Sequence, residues 1–347
     1  MRFLLQTTAL SLLALGFAAA PAHAAGYCES GKTVTFAGID WDSGAFLTEA
    51  IKAILAKGYG CKVDSIPGTT VLLEQALSEN EVQIFTEEWT DRTEVWRRAF
   101  AQHKVAAVGH PIIGAAEGWF VPSYVIEGDP KRNIKPVAPE LNSIEQLSDP
   151  KYIKLFEDPE EPGKGRFLNC PSGYACEGLS SALLEGYKLD QKWVNFRPGT
   201  GAALEAEVTA ANLRGEPVLF AHWIPSALGA RLKLVRLKGP AYSDACWAVI
   251  NTPSAKHDVA CDFPEPNVAY GVSSSFLAEA PELIAFLEKA TFPMDAFNRS
   301  LLRIADDKIS PAEAAEEFLK TKPDVWKPWV SPEAAQKIDA AVGTASH

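Results

Sequence analysis

Gly68-Thr69, a helical stretch to about Asn80, then Val82-Gln83-Ile84-Phe85 and Trp89 form a unit that the chain uses twice. The second copy is Gly199-Thr200, a helical stretch to about Arg214, then Val218-Leu219-Phe220-Ala221 and Trp223. Each copy reads as a helix followed by a short apolar strand that gives out at a tryptophan. Ligands of open α/β sheets bind outside the carboxyl ends of the strands. Two indoles delivered there from separate halves of one chain imply a cleft with aromatic walls. Such walls suit a cation that cannot donate hydrogen bonds, because it is attracted to the ring quadrupole.

Upstream of the first unit, residues 33–39 read as a strand ending at Asp40-Trp41-Asp42. A helix over 45–57 follows, with apolar residues at Phe46, Leu47, Ile51, Ile54 and Leu55. Gly58-Tyr59-Gly60 stops it, and 61–66 returns as a strand. Downstream, the Gly-dotted run 106–115 and then Glu117-Gly118-Trp119-Phe120 read as a crossing into a second lobe. The charged, Pro-rich stretch 129–165 reads as a surface connection with one short helix over 143–147. The second lobe resumes at 167–170, with a helix over 178–187 and a strand over 194–196. Segments 232–237 and 248–250 read as strands returning to the first lobe, and 281–290, 295–305 and 311–320 as amphipathic helices. Strands and helices alternating at these lengths predict parallel sheets with helices on both faces. The division is a discontinuous first lobe, 25–115 and 245–347, around a second lobe, 116–244.

Arg2 opens a mostly apolar run over 3–20, and Ala22-His23-Ala24 presents small residues at the cleavage spacing. A signal peptide, 1–24, cut after Ala24 is expected; the run is short for a membrane span. The exported chain is expected to be soluble and periplasmic, without stable membrane insertion. Roughly 320 residues remain, long for one core and comfortable for two domains. A formal net charge of −11 argues against nucleic acid and gives no attraction to anionic lipid. The six cysteines, Cys28, Cys61, Cys170, Cys176, Cys246 and Cys261, imply disulfides in an exported protein. Six cysteines allow 15 pairings; nearest neighbours are expected to join, Cys28–Cys61, Cys170–Cys176 and Cys246–Cys261. Without a Cys-x-x-Cys pair, and with scattered histidines, no metal or cofactor is expected.

Of nine tryptophans, Trp41, Trp89, Trp119 and Trp223 stand where an apolar run gives out beside polar or turn-forming residues. Trp193, Trp247, Trp326 and Trp329 read as packing residues, and Trp96 rides a helix begun at Asp91. Each desolvated indole face attracts a cation by about 2 kcal/mol or more. Several faces around one quaternary ammonium would supply the roughly 8 kcal/mol of a micromolar ligand. Cys170-Pro171-Ser172-Gly173-Tyr174-Ala175-Cys176 makes a small loop able to aim backbone amides at an anion, and Tyr174 adds a ring. Catalytic signatures are missing: there is no Gly-x-Ser-x-Gly elbow, His-Glu-x-x-His, Walker loop or dinucleotide fingerprint. His222 beside Trp223, and Glu87 and Glu88 beside Trp89, allow a carboxylate–histidine arrangement on paper. Catalysis needs a placed partner and acceptor as well, and no enzyme is expected.

The loop from Cys170 to Gly178 resembles the Cys-x-x-Gly-aromatic-small-Cys-Glu-Gly loop of periplasmic glycine betaine-binding proteins of ABC importers. The order of strand-end Trp, loop and second strand-end Trp is similar as well, and the resemblance runs from Thr33 to about Trp329. It implies a two-lobed, hinged type II periplasmic binding protein fold with mixed sheets, acting as a monomer that docks on a membrane permease. Trp89, Tyr174 and Trp223 would then surround a trimethylammonium head, with the amides of Ala175 and Cys176 facing a ligand carboxylate. Trp41 resembles the cage Trp of choline-binding relatives, and Trp119 is assigned a fifth wall. Two positions depart from the pattern: Tyr174 stands where Trp is frequent, and Thr93, next to Arg92, stands where some betaine binders carry a carboxylate-contacting His. Glu117 and Asp42 are expected to place negative charge near the cation or to accept a ligand hydroxyl. Glycine betaine or a related betaine is the first ligand implied; choline, carnitine and trimethylamine N-oxide follow. A carbohydrate-binding or carbohydrate-processing protein is the alternative of another class, since stacked indoles also suit sugars; processing would require a paired carboxylate at catalytic spacing.

Overall fold

The computed structural model describes residues 26–343; the expected signal peptide lies outside them. The chain first lays down β1 (Thr33–Gly38), β2 (Lys62–Pro67), β3 (Ile84–Trp89) and β4 (Val105–Val108). It then crosses to β5 (Ala116–Pro122), β6 (Gly165–Leu168), β7 (Trp193–Phe196), β8 (Leu219–Ile224) and β9 (Leu234–Arg236), and returns as β10 (Val268–Ser273). Two five-stranded sheets result, ordered β2-β1-β3-β10-β4 and β7-β6-β8-β5-β9. In each, the first three strands pair in parallel. The fourth strand in each order runs antiparallel to its neighbours, so both sheets are mixed. Each sheet borrows that fourth strand from a crossing of the chain: β10 arrives from the second lobe and β5 from the first.

The helix Asp42–Tyr59 shows how sequence makes the first core. Phe46, Leu47, Ala50, Ile51, Ile54 and Leu55 repeat at helical spacing and are buried, each large side chain worth about 1.5–3 kcal/mol relative to exposure. Gly60, left-handed at φ 69°, ends the helix. Phe292, Phe297, Phe318 and Trp329 from the C-terminal helices complete that core. The second lobe packs a separate core around Phe167, Leu183, Trp193 and Trp119. Disulfides join Cys28–Cys61, Cys170–Cys176 and Cys246–Cys261.

Five readings of the sequence need correction. The strand expected over 232–237 forms as β9 but does not return to the first lobe; it pairs with β5 at the edge of the second sheet. The run 248–250 lies in a helix, Asp244–Ile250, whose N-cap Ser243 accepts a bond from Cys246 N; the β-branched pair Val249-Ile250 is too short to outweigh a cap. The second lobe does not end at 244, because Trp247, Ile250, Cys261 and Phe263 pack in its core. β10 went unread, its Val-Ala-Tyr-Gly-Val run following a Pro-rich approach. The stretch 129–165 is more than surface: Leu141, Ile144, Leu147, Tyr152 and Phe156 are buried in the second core, and a further helix forms at Pro150–Leu155.

Candidate functional site

The two sheets place equivalent residues on opposite sides of one cavity. In the first lobe, the helix after β1 starts at Asp42 with Trp41 as its N-cap residue, and β3 ends at Trp89. In the second, the helix after β6 starts at Ala175 with Tyr174 as its N-cap residue, and Trp223 stands one residue before the end of β8. Trp41 and Tyr174 share an extended backbone, φ −86° and −82°, each with ψ 144°. Neither N-cap makes a side-chain capping bond, so both rings are free to face the cleft. Trp41 and Tyr174 meet across it with centroids 5.3 Å apart, and Tyr174 and Trp223 lie 6.0 Å apart, both pairs at 61°.

The cavity measures about 50 Å³, room for about three to five water-sized occupants at roughly 10–15 Å³ each. Its wall contains Trp41, Trp89, Tyr174, Ala175, Cys176, Trp223 and Glu117, together with Thr70, Phe85, Glu87 and Glu88. The first seven belong to the set expected from sequence. The Cys170–Cys176 bond ties the end of β6 to the first turn of the helix Ala175–Gly186. Ala175 and Cys176 of that turn line the cavity, and the first amides of a helix have no acceptor within it.

Two expected residues are elsewhere. Trp119 is a core residue and not a fifth wall: it is fully buried, packs on Phe167 at 4.3 Å, and donates its indole N–H to Ser180 Oγ at 3.1 Å. It lies inside β5, where its face points into the second core. Asp42 is not on the cavity wall. Its carboxyl is raised by burial, with Lys308 and Arg231 opposing, and it faces Glu205 of the second lobe, whose pKa burial and Asp42 push up to about 7. The carboxylate–histidine arrangement does not form with Glu87 or Glu88; the carboxyl near His222 is Glu205 of its own lobe, with Oε1 3.8 Å from Nε2. His222 is buried, bonds Ser226 Oγ through Nε2 at 2.7 Å, and burial holds its pKa near 3.

Sequence reading missed the carboxyl floor. The register of β3 with β10 slips: Ala269 faces Glu88 but Gly271 faces Phe85, so β3 carries one extra residue. Such a bulge re-aims side chains, and here consecutive residues, Glu87 and Glu88, both reach the cavity. Glu87 accepts from Trp89 Nε1 at 3.0 Å; burial pushes its pKa up to about 7, opposed by hydrogen-bonding groups of Trp89, Ser43 and Trp41. Glu88 is also raised, by burial and by the charge of Glu74 behind it. Glu74 in turn accepts from Thr93 Oγ1. Two adjacent acids closing an apolar strand were the available signal.

The lobes are closed on each other. Glu117 on β5 pairs with Arg92 of the first lobe at 2.6 Å, with both side chains nearly inaccessible. Thr70 N donates to Gly173 O at 3.3 Å. Gly173 has φ +92°, and a Cβ there would meet Thr69 Cγ2 at 2.7 Å, so both its backbone and this approach of the lobes require glycine. Asp91 O accepts from Trp247 Nε1 and Asn251 Nδ2. Among the described residues no cluster fit to hold a metal occurs, and no helix is long and apolar enough to cross a membrane.

Comparison with known proteins agrees with this architecture. The sequence profile described as the substrate binding domain of ABC-type glycine betaine transport system matches residues 32–321. A trimethylamine N-oxide-binding protein of Pelagibacter ubique (strain HTCC1062) is 25% identical over 245 residues, 68% of this chain and 73% of the relative. The fold is similar to that of a glycine betaine, L-proline ABC transporter binding protein from Borrelia burgdorferi, with TM-score 0.70 at 16% identity over 89% of this chain and 100% of that one. It is equally similar, at TM-score 0.70 and 18% identity over 91% and 99%, to an ABC-transporter choline binding protein in complex with choline. With one profile spanning most of its length and two mixed sheets enclosing an aromatic cavity, the chain belongs to the family of substrate-binding domains of ABC-type glycine betaine transport systems.

Proposed function

We propose that the cavity captures a compact trimethylated ammonium compound bearing an oxyanion, glycine betaine first and trimethylamine N-oxide beside it. The observation that carries this reading is the pairing of opposite chemistries on one wall. Trp41, Trp89, Tyr174 and Trp223 surround a space of about 50 Å³, and the uncapped start of the helix at Ala175 and Cys176 opens into it. Ring faces stabilise the methylated cation, and amides at a helix start stabilise an anion. Carnitine is long for this space, and choline has no anion for the helix start. Choline keeps one argument in its favour: Glu87, Glu88 and Glu117 line the cavity and can accept from a hydroxyl. The trimethylamine N-oxide-binding relative supports the same ligand class.

The protein would act in the periplasm after removal of its leader, as a monomer. Closure around the ligand would present the joined lobes to a membrane permease, and the ligand would leave unchanged, without catalysis. Calorimetric titration with glycine betaine, trimethylamine N-oxide, choline, carnitine and the neutral isostere 3,3-dimethylbutanol tests the reading. Saturable binding of the first two, weaker binding of choline and none of the isostere is the expected result. Binding of the isostere as tight as that of the cations would overturn it, and a sugar that competes would move the assignment to carbohydrate.

A further inference from the structure

Three carboxyl groups share the cavity wall, and their surroundings differ. Glu117 is neutralised by Arg92 at 2.6 Å. Glu88 is raised by burial and by the charges of Glu74 and Asp91, with Arg92 opposing. Glu87 is fully buried, and none of the groups that act on it is a cation. One of its oxygens, Oε1, accepts the Trp89 indole N–H at 3.0 Å. The other, Oε2, closes no hydrogen bond among the described residues. The same carboxyl is faced by Trp41 and Ser43 at the start of the helix Asp42–Tyr59. The bulge in β3 brings it there, because without the extra residue Glu87 and Glu88 would point to opposite faces of the sheet.

We infer that Glu87 is the positioning residue of the site: it orients the Trp89 ring and supplies the charge whose counter-ion is the bound ammonium. The inference rests on the cation reading above and deepens it. A buried carboxylate without a cation carries a desolvation cost, and a ligand that brings the cation relieves it. The ring faces alone would be sequence-tolerant walls; a carboxylate bonded to an indole N–H behind the face fixes the ring and adds long-range attraction in a site of low dielectric.

Two substitutions separate orientation from charge. Glu87→Gln keeps a carbonyl oxygen for Trp89 and removes the charge; Glu87→Asp keeps the charge and withdraws it from the indole by one methylene. The probes are tetramethylammonium, which has no second end, and glycine betaine, both titrated by calorimetry, with near-UV circular dichroism of the free proteins reporting the indoles. For Glu87→Gln we expect tetramethylammonium affinity to fall about tenfold with the indole spectrum unchanged. For Glu87→Asp we expect an altered indole spectrum and a smaller loss. Thermal unfolding of both variants verifies that each is folded. If both variants bind within twofold of the native protein with native spectra, Glu87 is packing and the inference fails alone. If the native protein binds neither probe, the cation reading fails and this inference with it.

Discussion

The two lobes build the same half-site from different chemistry. Each contributes an aromatic N-cap residue and a tryptophan at or next to its strand end, Trp41 with Trp89 and Tyr174 with Trp223. Before its tryptophan, β3 carries Glu87-Glu88, whereas β8 carries Ala221-His222. The first lobe therefore braces its indole with a carboxyl, and the second sets Trp223 beside a buried neutral imidazole, the rings 4.8 Å apart and tilted by 38°. The helix start is crowded by that carboxyl in the first lobe and faces the cavity at Ala175 and Cys176 in the second. Repetition of a fold unit thus sets where the rings go, and a few polar substitutions divide the work. Under the proposed reading both lobes offer rings to the cation, the first adds a carboxyl, and the second adds a helix start for the anion.

The largest effect is expected where the lobes are tied. Arg92→Met leaves Glu117 buried without its partner, which costs about 3–5 kcal/mol and should open the protein. Affinity falls by about a hundredfold or more, and small-angle scattering with ligand gives a larger radius. Adding Glu117→Leu should restore closure; a double variant that stays open would mean that Glu117 serves the first lobe in another way.

Next come the rings. Trp223→Ala should weaken glycine betaine binding about thirtyfold, the worth of about 2 kcal/mol for one indole face. Trp89→Ala should cost more, because it also strips Glu87 Oε1 of its donor. Equal losses in the two variants, measured by calorimetry, would erase the asymmetry between the lobes.

The carboxyl floor makes stability depend on pH. Glu87 is pushed from 4.5 up to about 7 and Glu74 from 4.5 up to about 8. Between the ordinary and the raised value the folded protein keeps protons that the unfolded chain has released, so stability falls as pH rises. His222, lowered from 6.5 to about 3, acts oppositely below pH 6.5, where the unfolded chain gains a proton that the fold refuses. The net fall is therefore clearest from about pH 6.5 to 8 and should appear as a declining Tm of the free protein. A bound cation favours ionised Glu87, so the decline should shrink with saturating ligand, and binding at pH 7 should release protons to buffer. A Tm that rises across this window would contradict a protonated floor.

Trp119→Phe should have the smallest effect on binding. It loses the bond to Ser180 and about 1 kcal/mol of stability, while affinity stays within twofold. A larger drop would return Trp119 to the cavity wall.

Periodicity and local chemistry determined much of this protein. The strand–helix alternation, the twin Gly-Thr…Trp units, the loop from Cys170 to Cys176 and the nearest-neighbour disulfides were all legible, because each is written in short-range spacing. So were Trp41, Trp89, Tyr174 and Trp223 as rings at element ends. Tertiary structure alone decided which of several similar tryptophans face the cleft: Trp119 also ends near a turn, and the pairing of β5 with β8 turns it into the core. It decided that β10 completes the first sheet, since strand order is a long-range choice that a six-residue run does not record. The carboxyl floor and the Arg92–Glu117 tie were hidden for the same reason. A one-residue bulge is defined only against the partner strand, and a salt bridge between lobes exists only once the hinge has brought residues 25 positions apart together.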